Sequence, residues 1–163
     1  MLRGYVIRYP ECIMLEVEPA IALLKDKTQL QVIDLKDLPP GNTPDFLLIP
    51  GGSCDHAIID TNLHALIQEV NHRGGLLGGI CNGAVVLASS GVLKGHHCTH
   101  TAVPKYAPVP EFEELLRVAT PLFVGSIYVD ENVVQSKNII TAKPSAADAF
   151  AKSVEKALFD CKF

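Results

Sequence analysis

Gly78-Gly79-Ile80-Cys81-Asn82-Gly83-Ala84 decides how the rest of the chain is read. The apolar pair Leu76-Leu77 leads into it, and Val85-Val86-Leu87-Ala88 leads out. This pattern predicts a buried strand, a sharp turn and then a helix. The turn has the form Gly-x-nucleophile-x-Gly with Cys in the central slot. Such a turn holds its middle residue in a strained conformation and presents it at the carboxyl edge of a sheet. The first N–H groups of the following helix lack intrahelical partners and favour an anion. That field is expected to lower the thiol pKa of Cys81 and make it reactive. Cysteine is also a common small core residue, but a packed core position has no need of glycines on both sides.

Working outward, Phe46-Leu47-Leu48-Ile49 is a continuous apolar run, as in the middle of a parallel sheet. It enters a glycine-rich loop, Pro50-Gly51-Gly52-Ser53. Asn62 to Arg73 reads as an amphipathic helix with Leu63, Leu66, Ile67 and Val70 on one face, ended by Gly74-Gly75. Nearer the start, Tyr5-Val6-Ile7-Arg8 and Leu30-Gln31-Val32-Ile33-Asp34-Leu35 read as strands, and Leu38 to Asn42 as a turn. Ile13, Val17, Ile21 and Leu24 have helical spacing, and Pro19 suits a first helical turn. The helix is therefore expected to begin near Val17, with Glu11 to Glu16 in a loop at the first strand's carboxyl end.

Gly91 closes the helix after the turn. Lys94 to His100 reads as a strand entry, and Val109 to Val118 as a short helix with acids early and Arg117 late. Ile127 to Val129, Val133 to Gln135 and Ile139 to Thr141 read as three short strands. Ser145 is expected to cap a last helix to about Phe159, with Ala149, Val154, Ala157 and Leu158 among its apolar positions. Alternating strands and helices predict an α/β sandwich with a mostly parallel sheet and helices on both faces. Without repeats or linkers, residues 1–163 are expected to form a single domain.

Composition narrows the function. Of the 163 residues, 48% are hydrophobic and 20% charged, with a net charge of -4. That is a globular balance with no basic stripe, so no nucleic-acid partner is expected. The amino-terminal residues lack a signal-peptide apolar core, and no run is long enough to span a membrane. Five irregularly spaced cysteines then read as reduced thiols of a cytoplasmic protein. None has zinc-site spacing, so no metal or cofactor is expected.

Phe46-Leu47-Leu48-Ile49-Pro50-Gly51-Gly52 followed by Gly79-Ile80-Cys81-Asn82-Gly83-Ala84 resembles the ThiJ/PfpI superfamily. This group includes the Parkinson-associated protein deglycase and intracellular protease I-like proteins, and is related to class I glutamine amidotransferases. Ala88 to Gly95, the pair Thr99-His100, and Asn138-Ile139-Ile140-Thr141-Ala142 extend the likeness over nearly the whole chain. The resemblance implies a flavodoxin-like fold, a homodimer, a small-molecule substrate, and a Glu from the first strand-to-helix loop hydrogen-bonded to the elbow thiol. Glu11, Glu16 and Glu18 are candidates, with Glu16 favoured by spacing from Ile7 and Glu18 next. A protonated Glu stabilises a thiolate, whereas an ionised one repels it. Backbone N–H groups of Gly51, Gly52 and Asn82 are candidates for an oxyanion hole.

The departures restrict the chemistry. In the protease-like branch a His follows the Cys; here Asn82 follows, and it takes no proton at neutral pH. None of the six histidines lies beyond position 100, so an amidotransferase-type His near the carboxyl terminus is absent and His100 is the remaining candidate partner. Peptide hydrolysis is disfavoured, because an amine leaving group needs a proton donor. A cysteine α/β-hydrolase needs an acid and then a His after the elbow, and His96, His97 and His100 come too soon after Cys81 to leave room for strand, acid and His. Two readings follow. One is a cysteine-dependent enzyme acting on an electrophilic carbon by glyoxalase- or deglycase-, amidase- or hydratase-type chemistry. The other is a non-catalytic redox-sensing or stress-response protein using the same Cys-Glu pair.

Overall fold

The computed structural model describes residues 1–106 and 110–160. Val109, the expected start of a helix, and Cys161 lie outside them. In chain order the elements are β1 (Arg3–Arg8), α1 (Glu18–Leu24), β2 (Gln29–Asp34), β3 (Phe46–Ile49), α2 (Thr61–His72), β4 (Leu76–Ile80) and α3 (Gly83–Ser89). Then come β5 (His97–Cys98), α4 (Glu111–Ala119), β6 (Ile127–Tyr128), β7 (Val133–Ser136), β8 (Ile139–Ala142) and α5 (Ala147–Phe159).

Strand alternation builds the layers. In β3, Leu47 and Ile49 join one apolar cluster with α2, α3 and Phe123, while Phe46 and Leu48 join another with α1 and α5. Both faces of β3 and β4 are buried, which explains their unbroken apolar runs. The six-stranded sheet has the order β2-β1-β3-β4-β8-β7. Its first five strands are parallel and β7 is antiparallel to β8. This is the expected flavodoxin-like sandwich.

β2 and β3 flank β1 on opposite sides, so the chain reverses its direction of winding beside β1. In open α/β sheets a crevice forms there, outside the carboxyl ends of the strands. The loops after β1, β3 and β4 carry Glu16, Gly51-Gly52 and Cys81 to that edge.

As Pro19 predicts, α1 begins just after Val17 with Pro19 in its first turn, and the loop before it holds a 3-10 turn, Met14–Glu16. Other local expectations change. Ser145 does not cap α5: the cap position is Ala146, with no side-chain bond. Ala149 is exposed, and Phe150 and Ala151 fill the buried face beside Val154 and Ala157. α2 begins one residue early because the Asp60 carboxylate accepts the Leu63 N–H at 2.8 Å. The first of the three short strands, β6, leaves the main sheet and pairs with β5.

Candidate functional site

Cys81 sits at φ 57°, a left-handed conformation that side chains rarely adopt. Two anchors hold it there. Its N–H donates to the Ala142 carbonyl at 2.9 Å, and the Ala84 N–H donates to its carbonyl at 3.1 Å. The chain can double back because Gly83 has no side chain: a Cβ there would lie 2.0 Å from the Ile49 carbonyl oxygen. Gly51 is equally constrained from the other side, where a Cβ would lie 2.5 Å from the Cys81 Cβ and 2.7 Å from its Sγ. The Pro50–Gly52 loop and the elbow are thus in direct contact.

The structure separates the three acidic candidates. Glu11 and Glu18 are exposed, whereas Glu16 is only 6% exposed. Its Oε1 accepts the Gly51 N–H at 2.8 Å, and its carboxyl shares a hydrogen bond with the Cys81 thiol. Burial raises the Glu16 carboxyl above its ordinary value, against the opposing pull of Gly51 and Cys81. Gly51 therefore lends its N–H to Glu16, and the donors aimed at the sulfur are Gly52 and Asn82.

The thiol itself departs from expectation. Burial, and then the charge of an ionised Glu16, push Cys81 up to about 12. The Gly52 and Asn82 N–H groups pull the other way and do not offset this. Cys81 is half-buried at the start of the seven-residue α3, and that helix start does not offset the loss of water. A thiolate here requires that Glu16 carry the proton. Two coupled acids in one dry site retain one proton between them long after the first has left.

His100 lies at the same edge of the sheet: the neighbouring Thr99 N–H donates to Thr141 Oγ1, and Thr141 pairs with Gly79. Its ring, however, stacks on Phe123 at 3.7 Å and meets Tyr128 edge-on at 5.0 Å. His100 Nδ1 accepts the Ala102 N–H at 3.1 Å, so this nitrogen is unprotonated. Burial lowers His100 to about 4, leaving a neutral ring at pH 7.

A cavity of about 470 Å³ reaches Gly52 and Asn82, with Ile58, Val85, Leu115 and Asp55 in its wall. A larger one, about 770 Å³, opens over the ends of β1 and β2 beside Arg8, Asp34 and Ile59. Of the two, only the smaller adjoins Gly52 and Asn82, and neither has Cys81 or Glu16 in its wall. No cluster of metal-ligating side chains occurs among the described residues. No helix among them is long and apolar enough to cross a membrane.

Sequence reading missed the Asn82 side chain. Its Nδ2 donates to the Gly52 carbonyl at 2.8 Å, while its buried Oδ1 has no partner. Only its main-chain N–H had a motif to announce it.

A model of the DJ-1/PfpI family matches residues 20–157. An uncharacterised protein of Methanocaldococcus jannaschii is 35% identical over 124 residues, 75% of this chain and 55% of that protein. The chain thus spans little more than half the length of that curated relative. The crystal structure of Drosophila melanogaster DJ-1beta superposes with a TM-score of 0.77 at 23% identity, covering 96% of this chain and 90% of that one. An oxidised Toxoplasma gondii DJ-1 gives 0.77 at 20% identity, covering 98% and 92%.

Proposed function

The chain belongs to the DJ-1/PfpI family, and on that footing we propose that it is a small-molecule enzyme with Cys81 as nucleophile. The observation that carries this reading is the buried contact between Glu16 and Cys81, with the Gly52 and Asn82 N–H groups on the sulfur. Glu16 holds the proton and donates it toward the thiolate. The sulfur attacks an electrophilic carbonyl carbon, a C–S bond forms, and the carbon–oxygen π pair moves onto oxygen. The Gly52 and Asn82 N–H groups stabilise that oxyanion, and the Glu16 proton passes to it. The product of this step is a hemithioacetal or its equivalent.

The cavity sets the substrate's scale. About 470 Å³ admits a small organic molecule, and among the described residues its wall holds Asp55 and Glu114 but no lysine or arginine. Neutral carbonyl compounds fit better than anions. His100, neutral and stacked on Phe123, is given no proton-transfer role, which leaves amide cleavage without a second acid.

One observation favours a second reading, oxidation without turnover. The Gly52 and Asn82 N–H groups favour negative charge on the sulfur, and they suit a sulfinate oxygen as well as a substrate oxyanion. A reaction panel of methylglyoxal, p-nitroanilide amides and isonitriles, run on wild type and Cys81→Ser, separates the two. Turnover of one class that is lost in Cys81→Ser supports the enzyme. No turnover, with peroxide-driven mass gain at Cys81, supports the sensor. We further propose a homodimer in keeping with the family; Leu15, beside Glu16, is 71% exposed. A clean monomer in light scattering at micromolar concentration would remove that part.

A further inference from the structure

The hydrogen bonds of the Pro50–Gly52 loop divide into two sets. Tyr9 Oη donates to the carbonyls of Pro50 and Gly51, and the Ile13 N–H donates to the Gly51 carbonyl at 3.0 Å. The Gly51 N–H goes to Glu16. All of these anchors come from the segment after β1. The remaining carbonyl, that of Gly52, is held from the opposite side by Asn82 Nδ2 at 2.8 Å. Because that partner is a carbonyl, the atom facing it must be the amide nitrogen. Gly52 stands at φ 97°, and on its other side an isolated antiparallel bridge pairs it with Cys12.

Asn82 keeps this bond at a cost. Its Oδ1 is buried without a partner, and an unpaired buried acceptor is unfavourable. An aliphatic side chain of the same size would avoid that cost but could not hold Gly52.

We propose that the Asn82 side chain is a positioning residue that sets the spacing of the two N–H donors at the Cys81 sulfur. One donor is its own main-chain N–H; the other, Gly52 N–H, lies on the loop that its side chain clamps. A single residue thus supplies one donor and bonds the residue that supplies the other. The inference rests on the reading of Cys81 as the reactive thiol, and deepens it.

The pH profile of Cys81 alkylation by iodoacetamide, followed by peptide mass, tests both separately. If another cysteine of the wild type reacts first, the reading of the site falls, whatever Asn82 does. If Cys81 reacts first, Asn82→Leu decides the role of the clamp. Losing the aligned Gly52 donor removes a pull that favours the thiolate. The profile then moves to higher pH, and alkylation at fixed pH slows about tenfold, on the scale of one charge-assisted hydrogen bond. A merely structural Asn82 would change the melting temperature and leave the profile in place, and that result overturns the proposal. Should Asn82→Leu fail to fold, Asn82→Ala and Asn82→Gln decide. Ala removes the donor without adding a charge, and Gln keeps the donor. Slow Ala with Gln closer to wild type supports the clamp; Ala at the wild-type rate overturns it.

Discussion

Two buried titratable groups share the carboxyl edge of the sheet, and burial acts on them in opposite directions. Glu16 lies in a corner made of backbone: the Gly51 N–H, the Pro50–Gly52 loop and the elbow. His100 lies in a corner made of rings, between Phe123 and Tyr128. Loss of water disfavours the charged form in both. It raises Glu16 and lowers His100 to about 4. Near neutrality the imidazole is therefore an unprotonated packing element, and the proton belonging to the site sits on the Glu16–Cys81 pair. The same physical cause favours a protonated carboxyl in one corner and a neutral ring in the other.

The largest expected effect lies in the ring corner. In the unfolded chain His100 titrates near 6.5, and in the fold near 4. As pH falls below 6.5 the unfolded state binds the proton first, so stability is lost down to about 4 and no further. The loss is about 3 kcal/mol, from the usual 1.4 kcal/mol for each unit. His100→Phe keeps the stack and should remove most of this acid limb in urea titrations between pH 4 and 7. It should leave the rate of Cys81 alkylation within about twofold of wild type. Slower alkylation would draw His100 into the site and break the contrast.

The backbone corner should respond to an added atom rather than a lost one. Gly51→Ala places a Cβ against Cys81, and overpacking of this kind costs about 1–3 kcal/mol. Denaturant melts should show that cost, and Cys81 alkylation should slow with it as the loop is pushed from the elbow. An alanine tolerated at both readouts would mean that the loop is looser than its contacts imply.

A smaller effect concerns Glu16 and stability. Its folded pKa is raised, so its contribution is fully present below the ordinary carboxylate value of 4.5 and is lost as pH rises through the folded value. Glu16→Gln has no proton to lose. Relative to wild type it should gain stability as pH rises from 4.5, the opposite slope to that of His100. A constant difference between the two proteins across that range would show that Glu16 titrates normally.

Much of the frame was legible because backbone constraint leaves marks in residue type. The buried runs Phe46–Ile49 and Leu76–Ile80, and glycine at 51, 52 and 83, announce β3, β4 and the turns between which the site forms. Pro19 placed the start of α1, and that start left Glu16 in the loop beside the thiol. What depends on tertiary surroundings was not legible. Ser145 is a good capping residue, yet the chain turns so that Ala146 takes that position. The lowered thiol pKa expected of a helix start was reversed by desolvation, whose strength depends on how completely loops close over the sulfur. Nor does a single Asn reveal whether its amide faces solvent or the Gly52 carbonyl.

The most direct test is the ultraviolet thiolate absorbance of Cys81 against pH, with Cys81→Ser as the blank, in wild type, Glu16→Gln and Glu16→Ala. If Glu16 carries the proton and donates it to the thiolate, Glu16→Ala should raise the apparent Cys81 pKa by roughly one to two units. Glu16→Gln, which keeps a donor, should stay nearer wild type. A fall in the Glu16→Ala pKa would contradict this, because it would mean that Glu16 faces the sulfur as a plain repelling carboxylate.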